Sequence, residues 1–366
     1  MSLPRLTIIG SGCAGLSLAR AIGQDKKAEI ALITDKPATD RSEHIWGFWH
    51  MPWLDDAAGQ ATHKWHKWRF MSDDISVIHH SDEHPYHMLS STQWLSYCTA
   101  QSGTKETISP ITDTAVKDDI GKDTPQAPYF DSRPKPAPEG ALLQHFLGQM
   151  LKTSQPVFDP SIATLMDFRC DQSQGLHFIY LLQTAPDTAL IESTLFTDTP
   201  LQDAFYEEAI KRYMTQNYPG IAYDVTRTEK GVIPLADCRD TKAPNHAIGA
   251  RGGALRPSSG YAFTFIQKQV AEIIAHHNKT GTWRATSPLS ARDLWMDKVF
   301  LRVLSKHPTT SARLFMRLSK ALTGTEFACF MSGTARWPLI AKIIFAMPKL
   351  TFISAALAVI AKGGRA

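Results

Sequence analysis

The stretch RLTIIGSGCAGLSLARAIGQDKKAEIALITD, Arg5 to Asp35, constrains this chain more than any other. An apolar run, Leu6 to Ile9, leads into Gly10-x-Gly12-x-x-Gly15, and Leu16, Leu18, Ala19 and Ile22 then recur at helical spacing. A second apolar run ends at Asp35, 20 residues after the third glycine. Strand, glycine turn, helix, strand and acid in this register form a dinucleotide-binding unit. Gly10 permits the tight turn, Gly12 lets the backbone approach a pyrophosphate, and Gly15 lets helix and strand pack closely, with Ala14 between them a further candidate cofactor contact. The helix N-terminus offers free N–H groups and a positive dipole to the phosphates. Asp35 is placed to accept hydrogen bonds from a ribose hydroxyl. The motif alone leaves NAD and FAD both open; its place at the N-terminus leans towards FAD.

A second glycine-rich segment, AIGARGGALRPSSGYAFTFIQKQVAEII, strengthens that reading. Gly249, Gly252, Gly253 and Gly260 lie within twelve residues and feed a stretch with helical apolar spacing. Two glycine loops at helix starts, more than 200 residues apart, suit a long cofactor held at both ends. The second helix would point its dipole at the flavin. Gly252 and Gly260 are candidate cofactor contacts. Arg251 either pairs with the flavin or sits on the surface.

Several further segments resemble the bacterial lycopene β-cyclases, a family of FAD-dependent carotenoid-ring-forming enzymes. They are HIWGFWH (His44 to His50), QHFLGQM (Gln144 to Met150), LMDFRCDQSQGLHFIYLLQ with the LIEST that follows it, GARGGALRPSSGYAF, and EFACFMSG. Two departures stand out. Arg256 occupies the place of a histidine before Pro257, and DSRP has Pro134 where the family has glycine. Pro134 falls in a proline-rich stretch, TPQAPYFDSRPKPAPEG, which by composition is an exposed loop.

The resemblance implies an acid-catalysed, redox-neutral ring closure of lycopene ends to β-rings, giving β-carotene via γ-carotene. It also implies reduced FAD in the site, with NAD(P)H as external reductant. The family's Glu-x-Thr glutamate corresponds to Glu192, in the strand-like TALIESTLF. A carboxyl among apolar strand neighbours has its pKa raised by desolvation, which suits a proton carrier. Asp167 is a second acid in an apolar strand, either a strand-end hydrogen bonder or a participant. Trp46, Phe48, Trp49, Phe178, Tyr180 and Pro257 are candidate substrate contacts. Phe178 and Tyr180 also alternate on one strand face, as sheet packing alone would require. His44 and His50 fit structural roles better than proton relay.

The expected fold is α/β: a Rossmann-type FAD-binding domain, a mostly antiparallel-sheet substrate domain and a helical C-terminal part. The expected boundaries are 1–100 plus 231–290, 101–230 and 291–366. The strands should include Leu165–Phe168, Leu176–Leu182 and Leu190–Phe196. Within the 366 residues, Lys279 to Ala366 carries 14 Lys+Arg against 3 Asp+Glu, a net of +11, so the remainder has 25 against 32, or −7. Basic residues interleaved with Trp, Phe, Leu and Ile suit an interfacial surface on anionic lipid, more than a nucleic-acid partner. LTFISAALAVIA, Leu350 to Ala361, is too short to span a bilayer. The five cysteines are dispersed, which predicts neither a disulfide framework nor a metal site. No signal peptide is expected, so the protein should be cytoplasmic and peripheral on the inner membrane face. Its oligomeric state is open. A flavin monooxygenase or reductase of an isoprenoid, a non-catalytic prenyl-binding protein, and a cyclase making another ring remain as alternatives.

Overall fold

The computed structural model describes residues 5–25, 27–35, 42–104, 106–108, 128–243 and 245–363. The N-terminal unit forms as its sequence predicts. Strand β1 (Arg5–Ile9), helix α1 (Cys13–Gln24) and strand β2 (Glu29–Thr34) follow in order, with β1 parallel to β2. The chain continues through β3 (Ile45–Trp49), the short helix α2 (Asp55–Gly59), β4 (His63–Trp65), β5 (Lys67–Met71), β6 (Ser76–His80) and β7 (Tyr86–Ser90). Helix α3 (Ser91–Ser102) starts because the Ser90 hydroxyl accepts the Gln93 N–H, and it stops at Gly103, where φ is +63°. Strands β8 (Glu106–Ile108) and β9 (Tyr129–Asp131) complete a four-stranded parallel sheet in the order β8-β2-β1-β9.

Strand β9 corrects the sequence expectation. It lies inside the proline-rich stretch expected to be a loop, yet it pairs with β1 along Thr7–Ile9. Phe130 and Asp131 are buried there. Residues 124–127 of that stretch lie outside the described residues.

Long strands follow: β10 (Leu142–Thr153), β11 (Ile162–Asp167), β12 (Leu176–Ala185) and β13 (Thr188–Thr197), then helix α4 (Asp203–Asn217) and β14 (Tyr223–Leu235). They form a seven-stranded sheet, β14-β10-β13-β12-β11-β5-β6, antiparallel except where β11 meets β5. The three expected strands are present and longer than expected. The sheet draws on chain from both sides of residues 100 and 230, since β5, β6 and β14 all join it. Its two faces are buried separately. Leu147, Ile179, Leu181, Ile191 and Leu195 pack under α4, while Phe178, Leu182, Leu190 and Phe196 join the main core. A third sheet, β3-β7-β4, is antiparallel.

Helix α5 (Phe263–Thr280) packs on α1. Five helices follow: α6 (Ala291–Lys306), α7 (Ser311–Ala321), α8 (Gly324–Met331), α9 (Trp337–Ala346) and α10 (Lys349–Gly363). Helix α7 packs on β5 and β6, and α10 on α6. Helices α9 and α10 meet at a bend of 116°, and no single helix among the described residues is long and apolar enough to cross a membrane. Their outer surface is apolar: Trp337, Ile344, Phe345, Leu350, Ile353, Leu357 and Ile360 are all exposed.

Candidate active site

The N-terminal glycine turn has the shape its spacing requires. Gly10 adopts φ +90°, and a Cβ built on Gly15 would lie 1.9 Å from the Gly10 carbonyl oxygen. No atom lies within 4 Å of a Cβ built on Gly12, and no side chain caps α1 there. An open space therefore faces the uncapped N–H groups beside Ala14, which is what a pyrophosphate needs. Asp35 is exposed just beyond β2. The wall opposite comes from the segment the sequence left as a loop. Ser132 Oγ donates to the Ile9 and Gly10 carbonyls at 2.8 and 3.1 Å.

The second glycine segment closes on the first. A Cβ on Gly249 would lie 2.9 Å from the Ala14 Cβ. Gly252 packs against the Ala247 carbonyl, and Gly260, at φ +69°, against Gln144 and Ile233 of the seven-stranded sheet. Buried Pro257 shapes the turn in which Ser259 and Gly260 donate N–H to the Arg256 carbonyl. Helix α5 starts next, also without a side-chain cap. Arg251 is not loose on the surface, because it pairs with Asp240 at 2.7 Å and with Asp131 at 3.3 Å, while its Nε has no partner among the described residues. Arg256 is buried: it pairs with Asp297 and donates to the Phe330 carbonyl at 2.5 Å.

Glu192 lies on the face of the seven-stranded sheet turned away from α4. The register sets one row of residues across four strands: Tyr180 on β12 opposite Glu192 on β13, then Gly148 on β10, then Glu229 on β14. The Thr194 hydroxyl donates to Glu192 Oε1 at 2.6 Å. The Tyr180 hydroxyl meets that of Tyr86 at 2.8 Å, and Tyr86 meets Tyr261 at 3.2 Å. Gly47 makes room for this cluster, since a Cβ there would lie 1.9 Å from Tyr86 Oη and 2.8 Å from Tyr180 Oη. Tyr261 sits just before α5, so the hydroxyl chain joins the Glu192 row to the start of that helix.

Burial pushes the Glu192 carboxyl up from 4.5 to about 8, with Glu229 adding to the rise and the Thr194 bond opposing it. Burial likewise brings Glu229 to about 7, against Arg227 and the Ile45 N–H, which favour its charge. Burial also holds the phenols of Tyr86, Tyr180 and Tyr261 well above their ordinary value. At neutral pH Glu192 is a carboxylic acid with one hydroxyl partner and no ion pair among the described residues. Yet part of its surface, like that of Tyr180, stays open, so it is not sealed in the core. Such a group can protonate a weakly basic carbon in a dry, aromatic setting.

Known proteins fit this geometry. The family model described as "Lycopene cyclase protein" matches residues 5–357. The chain belongs to the lycopene cyclase family. The lycopene beta-cyclase of Pantoea ananas is 23% identical over 328 residues, 82% of each chain. That of Pseudescherichia vulneris is 28% identical over 175 residues, 44% of each chain. That of Paracoccus sp. (strain N81106 / MBIC 01143) is 32% identical over 140 residues, 36% of this chain and 35% of the relative. The matched stretch thus spans under half the length of the latter two relatives. Among solved structures, a geranylgeranyl bacteriochlorophyll reductase-like protein from Thermoplasma acidophilum superposes with a TM-score of 0.59 at 10% identity, covering 98% of this chain and 100% of its own. The flavin-dependent brominase Bmp2 reaches 0.55 at 12% identity, covering 93% and 97%. The shared architecture is the Rossmann-type FAD-binding fold.

Within this lycopene cyclase family chain, three sequence expectations need correction. Asp167 does not join Glu192, because it faces α4 on the opposite side of the sheet. There it is fully buried and bonded to Arg169 at 2.7 Å and to Tyr213 at 3.1 Å. Trp46 and Phe48 lie on the far side of β3 against Phe263, Trp46 stacked on it and Phe48 tilted to it. Strand alternation instead turns Gly47 and Trp49 to the Tyr86 side, with Trp49 edge-on to Tyr86 at 4.8 Å. Phe178 shares the Glu192 face but packs edge-on to Phe168 and Phe196. His44 and His50 have local partners, Ser42 at 2.9 Å and Asp55 at 2.8 Å, as structural roles require.

Sequence reasoning missed Glu229, Tyr86, Tyr261 and the purpose of Gly47 and Gly148. Glu229 did carry a signal: like Glu192, it is an acid within a strand, in VTRTEKGVI. Its link to Glu192 depends on a register that no single sequence displays.

Proposed function

We propose that this chain closes the ψ-ends of lycopene, or of a similar linear carotenoid, to β-rings by acid catalysis without net redox change. The carrying observation is Glu192: a carboxyl held neutral by burial, partly open beside the Tyr180, Tyr86 and Tyr261 hydroxyls on the side where the glycine loops meet. In this reading Glu192 gives its proton to the terminal double bond. The internal double bond attacks the resulting tertiary cation, and a C–C bond closes the six-membered ring. Loss of a ring proton forms the β-ring and restores the proton count, so substrate and product are isomers. Tyr180, part of whose surface is open, offers a π-face to the cation, and Trp49, packed behind Tyr86 and Tyr261, helps keep water from trapping it.

FAD fits the two glycine segments: Gly10, Gly12, Ala14, Gly15 and Asp35 for the adenosine and pyrophosphate end, and the Gly249–Gly260 turn with the start of α5 for the ring end. Bound in its reduced form, with NAD(P)H as the external source of electrons, it supplies negative charge beside a cationic substrate. The α9–α10 surface supports a peripheral seat on the cytoplasmic face of a membrane, where carotenoids reside. Phe345 and Leu350 are 77% and 87% exposed, and Lys342 and Lys349 flank them.

The test is expression in a lycopene-accumulating host with pigment analysis. Cyclic product should appear and should vanish with Glu192→Gln. Flavin-loaded protein that gives no cyclic product, or that consumes NAD(P)H in step with substrate, overturns the reading. Flotation with phosphatidylglycerol vesicles should carry the wild type and not the double variant Phe345→Asp, Leu350→Asp.

A further inference from the structure

Glu229 is the second acid of the Glu192 row. Both lie opposite Gly148 on its two neighbouring strands. A Cβ on Gly148 would sit 3.4 Å from Glu229 Cγ and 3.5 Å from Glu192 Cβ, so both acids flank this glycine at contact distance. Their surroundings differ in kind. Besides Glu229, the polar groups facing Glu192 among the described residues are hydroxyls: Thr194 on its own strand, Tyr180 on β12, Tyr86 on β7 and Tyr261 before α5. Glu229 accepts the Ile45 N–H at 3.0 Å and lies 3.5 Å from the Arg227 guanidinium. Arg227 in turn is shared with Glu43 at 2.8 Å, and His44 adjoins that pair. A backbone donor and a cation stabilise a carboxylate at Glu229, whereas among the described residues Glu192 has one hydroxyl donor and no cation to offset its burial beside a second acid.

We propose that Glu229 is a positioning residue that works through charge: its carboxylate, beside Glu192 across Gly148, keeps the proton on Glu192. Burial raises both carboxyls, but Glu229 has the backbone donor and the cation and ionises first, which assigns the acid to Glu192 and, above about pH 7, the anion to Glu229. The inference rests on Glu192 as the proton donor, and no group other than the proton is transferred.

The test is a pH titration of the FAD-loaded full chain by infrared difference spectroscopy, following the protonated carboxyl C=O band that Glu192→Gln removes. Removing the neighbouring negative charge makes Glu192 easier to ionise. Glu229→Gln should therefore lower the midpoint of that band by about one pH unit. The alkaline limb of kcat/KM should move down equally, and Glu229→Asp should restore both. A glutamine oxygen still accepts the Ile45 N–H, and far-UV circular dichroism must show the variant folded at each pH, because unfolding would itself lower the midpoint towards 4.5. Should Glu229→Gln fail to take up FAD, the wild type decides: two interacting carboxyls titrate over a broadened, two-step curve, and a simple one-proton curve for Glu192 overturns the inference. An unchanged midpoint in Glu229→Gln also overturns it. If Glu192→Gln stays fully active while the midpoint still moves, the proposed function fails and the inference about the pair stands.

Discussion

Glu192 and Asp167 are two acids of one sheet, with opposite surroundings. Asp167 is completely buried, yet it accepts hydrogen bonds from the Arg169 N–H and side chain and from the Tyr213 hydroxyl. Glu192 is less enclosed, yet the described residues give it a single hydroxyl and a like-charged neighbour. Burial is therefore a poor guide to chemical availability. A carboxylate whose lone pairs are filled by a guanidinium and a phenol is a structural anchor, and a carboxyl that lacks a cation keeps its proton and can give it away.

The sharpest way to break this contrast is activity. Glu192→Gln should lower cyclisation by about a thousandfold or more per mole of FAD-loaded enzyme, whereas Asp167→Asn should stay within about threefold. Product assays on purified protein decide it. In stability the order reverses. Asp167→Ala strands Arg169 and should cost about 3 kcal/mol in urea denaturation. Glu192→Gln should cost little at acid pH and become stabilising as pH rises. The sign follows from the raised folded-state pKa: neutral Glu192 is fully compatible with folding below pH 4.5, and that stability is lost progressively towards pH 8. The variant should gain about 2 kcal/mol on the wild type across that window, less than the full shift implies because part of the carboxyl's surface is open to solvent. Gly47→Ala would push into the Tyr86 and Tyr180 hydroxyls and should cost about 2 kcal/mol, with a lower activity per folded molecule. The smallest effect belongs to Trp46→Phe. It touches α5 rather than the Glu192 face, and it should change KM by less than about twofold.

The legible parts of the sequence were those in which one segment carries its own reason. The β1–α1–β2 unit is local, so three glycines, an apolar period and an acid suffice to specify it. Glu192 was legible because a lone acid in an apolar strand violates the ordinary pattern. Strand β9 was not: three residues among prolines become a strand only because β1 offers them a partner. The Glu192–Gly148–Glu229 row was hidden for the same reason, since it exists only once β10 is placed between β13 and β14. Trp46 and Phe48 were misassigned because an aromatic run does not state which strand face meets the site, and Asp167 because its partner Tyr213 lies 46 residues away.

Arg256 bears on whether the C-terminal helices could ever be removed as a separate module. Its guanidinium leaves the glycine turn before α5 and is received by Asp297 of α6 and by the Phe330 and Met331 carbonyls at the end of α8. Cutting the chain before α8 would strip both carbonyls from a cation that is only 2% exposed. A deletion made far from the glycine loops would thus act as a lesion within them, and a truncated protein should be assayed for flavin uptake before any loss of pigment is ascribed to the membrane.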